Sequence, residues 1–146
     1  MPITYWILKQ ADITYAVWRS PITPREMREN FERYISDPDY RTGRQELIDL
    51  RLLSSLNADF GHLSMLLSRA NAQDFGDGPG TNTVILAPDD LAFGRGRQYK
   101  SMADNEGGIA VHVVRREDEA LALLGRSELS LADFLRTQAD FSGPIT

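Results

Sequence analysis

The chain opens with two short runs of β-branched and aromatic residues, 3–9 and 13–19, split by Gln10, Ala11 and Asp12. Alternation puts Ile3, Tyr5 and Ile7 on one face of the first run and Ile13, Tyr15 and Val17 on one face of the second, which predicts an antiparallel hairpin. The period then changes. Met27, Phe31 and Tyr34 recur at helical spacing among Arg25, Arg28, Glu29, Glu32 and Arg33. Thr23, Pro24 and Glu26 supply an N-cap, a first helical residue and the second half of a capping box. This helix is expected to stop near Asp37 and Pro38. Residues 45–51 read as a buried strand, and Phe60, Leu63, Leu67 and Ala70 mark a second helix. The glycine-rich stretch 74–82 is a loop. Residues 83–88 and 107–115 read as strands, residues 116–125 as a short helix closed by Gly125, and Ser130 with Asp133 as the cap of a last helix over 131–140. Strands alternating with helices after a hairpin predict a single α/β domain over 1–146. Its sheet is largely parallel, of about five strands with flanking helices, and 127–146 form a C-terminal helix and tail.

Residues 88–104, PDDLAFGRGRQYKSMAD, raise the question of a phosphate-binding glycine loop. A P-loop ends in Gly-Lys-Ser/Thr, and a dinucleotide fingerprint puts its glycines directly after the strand; neither pattern is present. A helix fits better. Asp89 or Asp90 caps it, and Ala92, Gly96, Tyr99 and Ala103 share one face at 4-3-4 spacing, so small residues let the helix lie close to the sheet. Two interior glycines cost roughly 1–2 kcal/mol relative to alanine, which close packing would offset. Phe93, Arg97 and Lys100 fall on the opposite face, where they form either a partner surface or an ordinary solvated face.

Residues 84–125, VILAPDDLAFGRGRQYKSMADNEGGIAVHVVRREDEALALLG, resemble the C-terminal half of bacterial SpoIIAA-like proteins, relatives of the STAS domain. The shared features are a strand ending in alanine, an aspartate-led helix with an internal Phe-Gly and a later arginine, a strand, and an acidic helix. The N-terminal half is similar in pattern only. The resemblance implies a compact α/β domain that binds proteins or small ligands and performs no chemistry of its own. STAS domains that antagonise anti-sigma factors carry an Asp-Ser pair after the strand corresponding to the one that holds Asp49 here. In this chain Asp59 is followed by Phe60, so that phosphoacceptor motif is missing.

Composition narrows the partners. The net charge of −5 argues against non-specific nucleic-acid binding, and 42% apolar content is that of an ordinary soluble domain. The absence of cysteine excludes disulfides, thiolate catalysis and Cys-ligated metals. The N-terminus lacks a basic region and its apolar run is too short for a signal peptide, so a cytoplasmic location is expected. No apolar segment approaches the roughly 20 residues of a membrane span.

The leading expectation is therefore a non-enzymatic binding domain without metal or cofactor. Its candidate surface combines Arg51, Ser54, Ser55, Asn57 and Asp59, beyond the third strand, with Phe93, Arg95 and Arg97 on the aspartate-led helix. An alternative is a carrier or sensor of a small apolar molecule or lipid, in a pocket between sheet and helices lined by Trp6, Trp18, Phe31 and Met65. A hydrolase built on His62, Asp59 and Ser54, Ser55 or Ser64 ranks last, because there is no G-x-S-x-G elbow and Asp59 serves equally as a cap. His62 and His112 are far apart in sequence and make a weak metal pair. Self-association as a homodimer is expected from the exposed edge or aromatic patch that the hairpin leaves.

Overall fold

The computed structural model describes residues 2–19, 21–53, 82–106 and 109–145. Strands β1 (Ile3–Leu8) and β2 (Ile13–Arg19) form the antiparallel hairpin, joined by a turn in which Asp12 takes a positive φ of 58°. Helix α1 (Pro24–Ile35) leads to β3 (Gln45–Leu52). Strand β4 (Asn82–Leu86), helix α2 (Asp90–Glu106) and strand β5 (Ala110–Val114) follow, and α3 (Glu117–Leu123) and α4 (Leu131–Arg136) complete the chain. Among the described residues five strands lie in chain order, β1-β2-β3-β4-β5, with every pair after the hairpin parallel. The predicted α/β domain with a mixed, largely parallel sheet is the observed architecture. The expected helix at 60–70, residues 74–81 of the expected loop, His62, Ser64 and Met65 lie outside the described residues; Asn82, expected to end that loop, instead opens β4.

Both faces of the sheet are covered, as a parallel sheet requires. The steps from β2 to β3 and from β4 to β5 run the same way across the sheet, so right-handed crossovers put α1 and α2 on one face. That face is packed by Ile3, Met27, Leu50, Ile85, Ala92, Met102 and Ala103. The other is packed by Leu8, Ile13, Leu47, Val84, Leu121, Leu131 and Phe134, from the sheet, α3 and α4. Strand β2 is buried from Ile13 through Val17 because it contributes to both layers at once.

Local signals set the element ends. Thr23 Oγ1 accepts from the Glu26 amide while the Glu26 carboxylate accepts from the Thr23 amide, completing the capping box. Asp89 caps α2, its carboxylate accepting from the Ala92 amide at 2.9 Å. Helix α3 ends at Gly125, φ +78°, where the amides of Gly125 and Arg126 donate to the carbonyls of Ala122 and Leu121. Helix α4 is shorter than its sequence pattern. The Thr137 hydroxyl donates to the Phe134 carbonyl at 2.7 Å, and the chain then turns back so that Phe141 meets the Trp6 ring edge to face.

Candidate functional site

A cavity of about 150 Å³ lies between the sheet and helices α1 and α2. Strand register builds its floor in two rows. Thr14, Glu46 and Thr83 stand side by side across β2, β3 and β4, and two residues further on Ala16, Ile48 and Ile85 do the same. The first row is polar and the second apolar. Met27, Asn30, Phe31 and Tyr34, at successive helical turns of α1, form one wall; Arg95, Gly96 and Tyr99 of α2 form another. Trp18, Leu50, Ile109 and Tyr5 line its remaining edges, and the space opens to solvent.

The polar groups at this floor are largely paired with one another. The Thr14 and Tyr34 hydroxyls lie 2.8 Å apart, and Thr83 Oγ1 donates to the Glu46 carboxylate at 2.9 Å. Burial, with the Glu46 carboxylate nearby, pushes the Tyr34 phenol upward and keeps it neutral. The Tyr5 phenol, donating to Asp37 Oδ2 at 2.8 Å, is pushed up to about 12 by burial and then by that carboxylate. Trp18 contributes its ring rather than its polar atom: Nε1 is buried out of reach of the open space and has no hydrogen-bond partner among the described residues.

A second polar cluster sits at the end of β3, on the opposite face. Asp49 is almost wholly buried, accepting from Tyr15 Oη at 2.6 Å and from Arg51 Nε and Nη2 at 3.0 and 2.8 Å. Burial, followed by the Asp49 charge, drives the Tyr15 phenol well above its ordinary range. Arg51 Nη1 also lies 3.7 Å from Glu117, whose carboxylate accepts from the Leu131 amide at 2.7 Å. This chain of contacts joins β2, β3, α3 and α4.

The candidate residues from the sequence are thus distributed. Arg51 turns inward to Asp49 on the α3 side of the sheet, whereas Arg95 lines the cavity on the other side. Phe93 and Arg97 come together on α2, with the Arg97 guanidinium 5.9 Å from the Phe93 ring. Phe93 is half-buried against the core, and Arg115 covers it at 4.1 Å while bonding the Pro88 carbonyl and Asp90. Ser54, Ser55, Asn57 and Asp59 lie outside the described residues. Trp18 and Phe31 line the cavity; Trp6 is on the other face, stacked with Tyr15. Thr14, Glu46 and Thr83 are not among the sequence candidates, and Tyr34 is there only as part of an apolar helix face; the signal available for the three strand residues was a polar side chain at a position that alternation turns toward the core.

Among the described residues no group of three or more His, Asp and Glu side chains is arranged to hold a metal ion, and no helix is long and apolar enough to cross a membrane. Comparison with protein-family models, with curated proteins and with solved structures finds no match.

Proposed function

We propose that this chain is a non-enzymatic binding domain whose ligand is a small apolar molecule held between the sheet and helices α1 and α2. The observation that carries the reading is the two-row floor: an apolar patch of Ala16, Ile48 and Ile85 beside a polar strip of Thr14, Glu46 and Thr83. Small-molecule sites have this composition, mostly apolar with a few placed polar groups that fix orientation. An apolar cavity of this size suits a molecule near benzene in bulk, with roughly six to ten non-hydrogen atoms. The SpoIIAA-like, STAS-like resemblance is in keeping with a domain that works by binding, in the cytoplasm. The element order supports it: β4 leads to a helix capped by Asp89, then to β5 and the acidic start of α3.

Protein binding is the second reading, and the head of α2 favours it. Leu91 is more than half exposed there, and on another face of the same helix Phe93 is covered by Arg97 and Arg115.

Native mass spectrometry of gently purified protein, repeated after denaturation, tests the first reading. One small adduct per chain, lost on denaturation, is the expected result. Adduct-free protein is then titrated with cyclic hydrocarbons and ketones while its melting temperature is followed, and a saturable rise is expected for some members. No adduct and no shift across the whole set would mean that the protein fills this space itself, and would overturn the reading. A bare dimer would move the assignment to protein association.

A further inference from the structure

We infer that the ligand carries one positive charge, an ammonium nitrogen on an otherwise apolar body, and that the Glu46 carboxylate reads it among a group of aromatic rings. The inference rests on the cavity being a ligand site.

Glu46 is half-buried and brings its carboxylate to the floor of the space. It lines the cavity and accepts at 2.9 Å from Thr83 Oγ1, itself a floor residue. Tyr34, in the α1 wall, is near enough for that charge to push its phenol upward. One hydroxyl does not exhaust a carboxylate, which accepts at both oxygens. Aromatic side chains stand round the same space: Tyr5, Trp18, Phe31, Tyr34 and Tyr99 all line it. Tyr5 and Tyr34 meet edge to face, ring centroids 5.1 Å apart, and their hydroxyls are engaged with Asp37 and Thr14. What these two offer a ligand is therefore ring. The negative face of an aromatic ring attracts a cation, more strongly where water is partly excluded. Rings and a carboxylate together favour a cation over a neutral molecule of the same shape, and disfavour an anion. Arg95 also borders the cavity, but its Nη1 donates to Gln98 Oε1 at 3.3 Å, one turn along α2, and Gln98 is not part of the wall. That bond draws the guanidinium along the helix and leaves the stem at the space.

Cyclohexylammonium, cyclohexanol and cyclohexanecarboxylate share a ring and differ in charge. Their affinities are measured by calorimetric titration at neutral pH and fixed salt. The ammonium is expected to bind about ten-fold more tightly than the alcohol, and the carboxylate most weakly. In Glu46→Gln, which can still accept from Thr83, the ratio of ammonium to alcohol affinity is expected to fall by about ten-fold. Phe31→Leu keeps the wall apolar and should lower that ratio by about two- to five-fold, where a wall acting only by its apolar surface would weaken both compounds alike. Equal binding of ammonium and alcohol, tightest binding of the carboxylate, or an ammonium preference that survives Glu46→Gln overturns this inference and leaves the cavity as a ligand site. Binding of none of the three overturns the ligand site itself. Should Glu46→Gln fail to fold, the order of the three compounds on the unmodified protein and on Phe31→Leu still decides.

Discussion

Helix α2 contains two glycines, and the structure assigns them opposite responses to one substitution. Gly94 faces solvent, and a Cβ built there meets nothing within 4 Å. Gly96 is buried, and a Cβ there falls 2.9 Å from Val113 Cγ1 and 3.5 Å from Ile85 Cγ2. Alanine at either position gains about 1 kcal/mol in helix propensity. At Gly94 nothing opposes the gain. At Gly96 the methyl must displace the branched, stiff Val113 or lift the helix from β5, at a cost of about 1–3 kcal/mol. Because the propensity gain is common to both, the difference between Gly94→Ala and Gly96→Ala isolates the contact. That difference should be about 1–3 kcal/mol, or roughly 3–9 °C in melting temperature for a chain of this size. Urea unfolding followed by circular dichroism measures it. Gly96→Ala combined with Val113→Ala should be less destabilised than the two single changes predict when added. Equal stabilities for the two single variants, or strict additivity in the double, would show that α2 does not lie close on the sheet at Gly96.

Three further outcomes follow from named contacts. Asp49→Asn leaves Arg51 without its buried counter-charge and should cost about 3 kcal/mol, whereas Tyr15→Phe, which keeps that pair, should cost about 1 kcal/mol; both are read from urea midpoints. The hydrogen bonds from Arg41, and then Arg44, hold the Asp12 carboxyl below its ordinary range, so its share of stability is present above about pH 3.9 and is lost as the pH falls through the lower, folded-state value. Asp12→Asn should therefore flatten that acid limb in melting curves taken from pH 5 to pH 2. Gly125→Ala forces a side chain into the positive-φ cap of α3 and should lower stability by about 1 kcal/mol, seen as an earlier thermal transition.

How much of this was legible depends on how far apart the partners lie in sequence. The capping box of Thr23 and Glu26, the Gly125 cap and the small face of α2 are written within a few residues, and each reads directly from spacing. The cavity floor is not. Thr14, Glu46 and Thr83 become neighbours only through strand register, across separations of 32 and 37 residues, and a single sequence carries no register. Arg51 shows a different failure. A charged residue near a strand end reads as a surface contact, yet Asp49 stands two residues earlier, on the same side of a period-two strand. That spacing was an available sign that the arginine is tied inward, and Tyr15, paired opposite Leu47 in the register, completes the tie.

A cavity in a small domain needs a physical reason to persist. A sealed apolar cavity of 150 Å³ would cost about 3.6 kcal/mol at about 24 cal/mol per Å³, and this space, which opens to solvent and has a polar row, costs only part of that. Ala16, nearly fully buried at the β2 end of the apolar row, is the simplest place to remove that cost. Ala16→Leu directs three more carbon atoms into the space without touching a hydrogen bond, and should raise stability by about 1–2 kcal/mol. The same change should abolish the ligand-dependent rise in melting temperature, because the added atoms occupy the ligand's volume. Stability and binding thus move in opposite directions at one residue. Thermal unfolding of both proteins, with and without cyclohexanone, measures the two effects together. A variant that loses stability as well as binding would show the floor already packed around Ala16, and a variant that still responds to ligand would place the binding elsewhere.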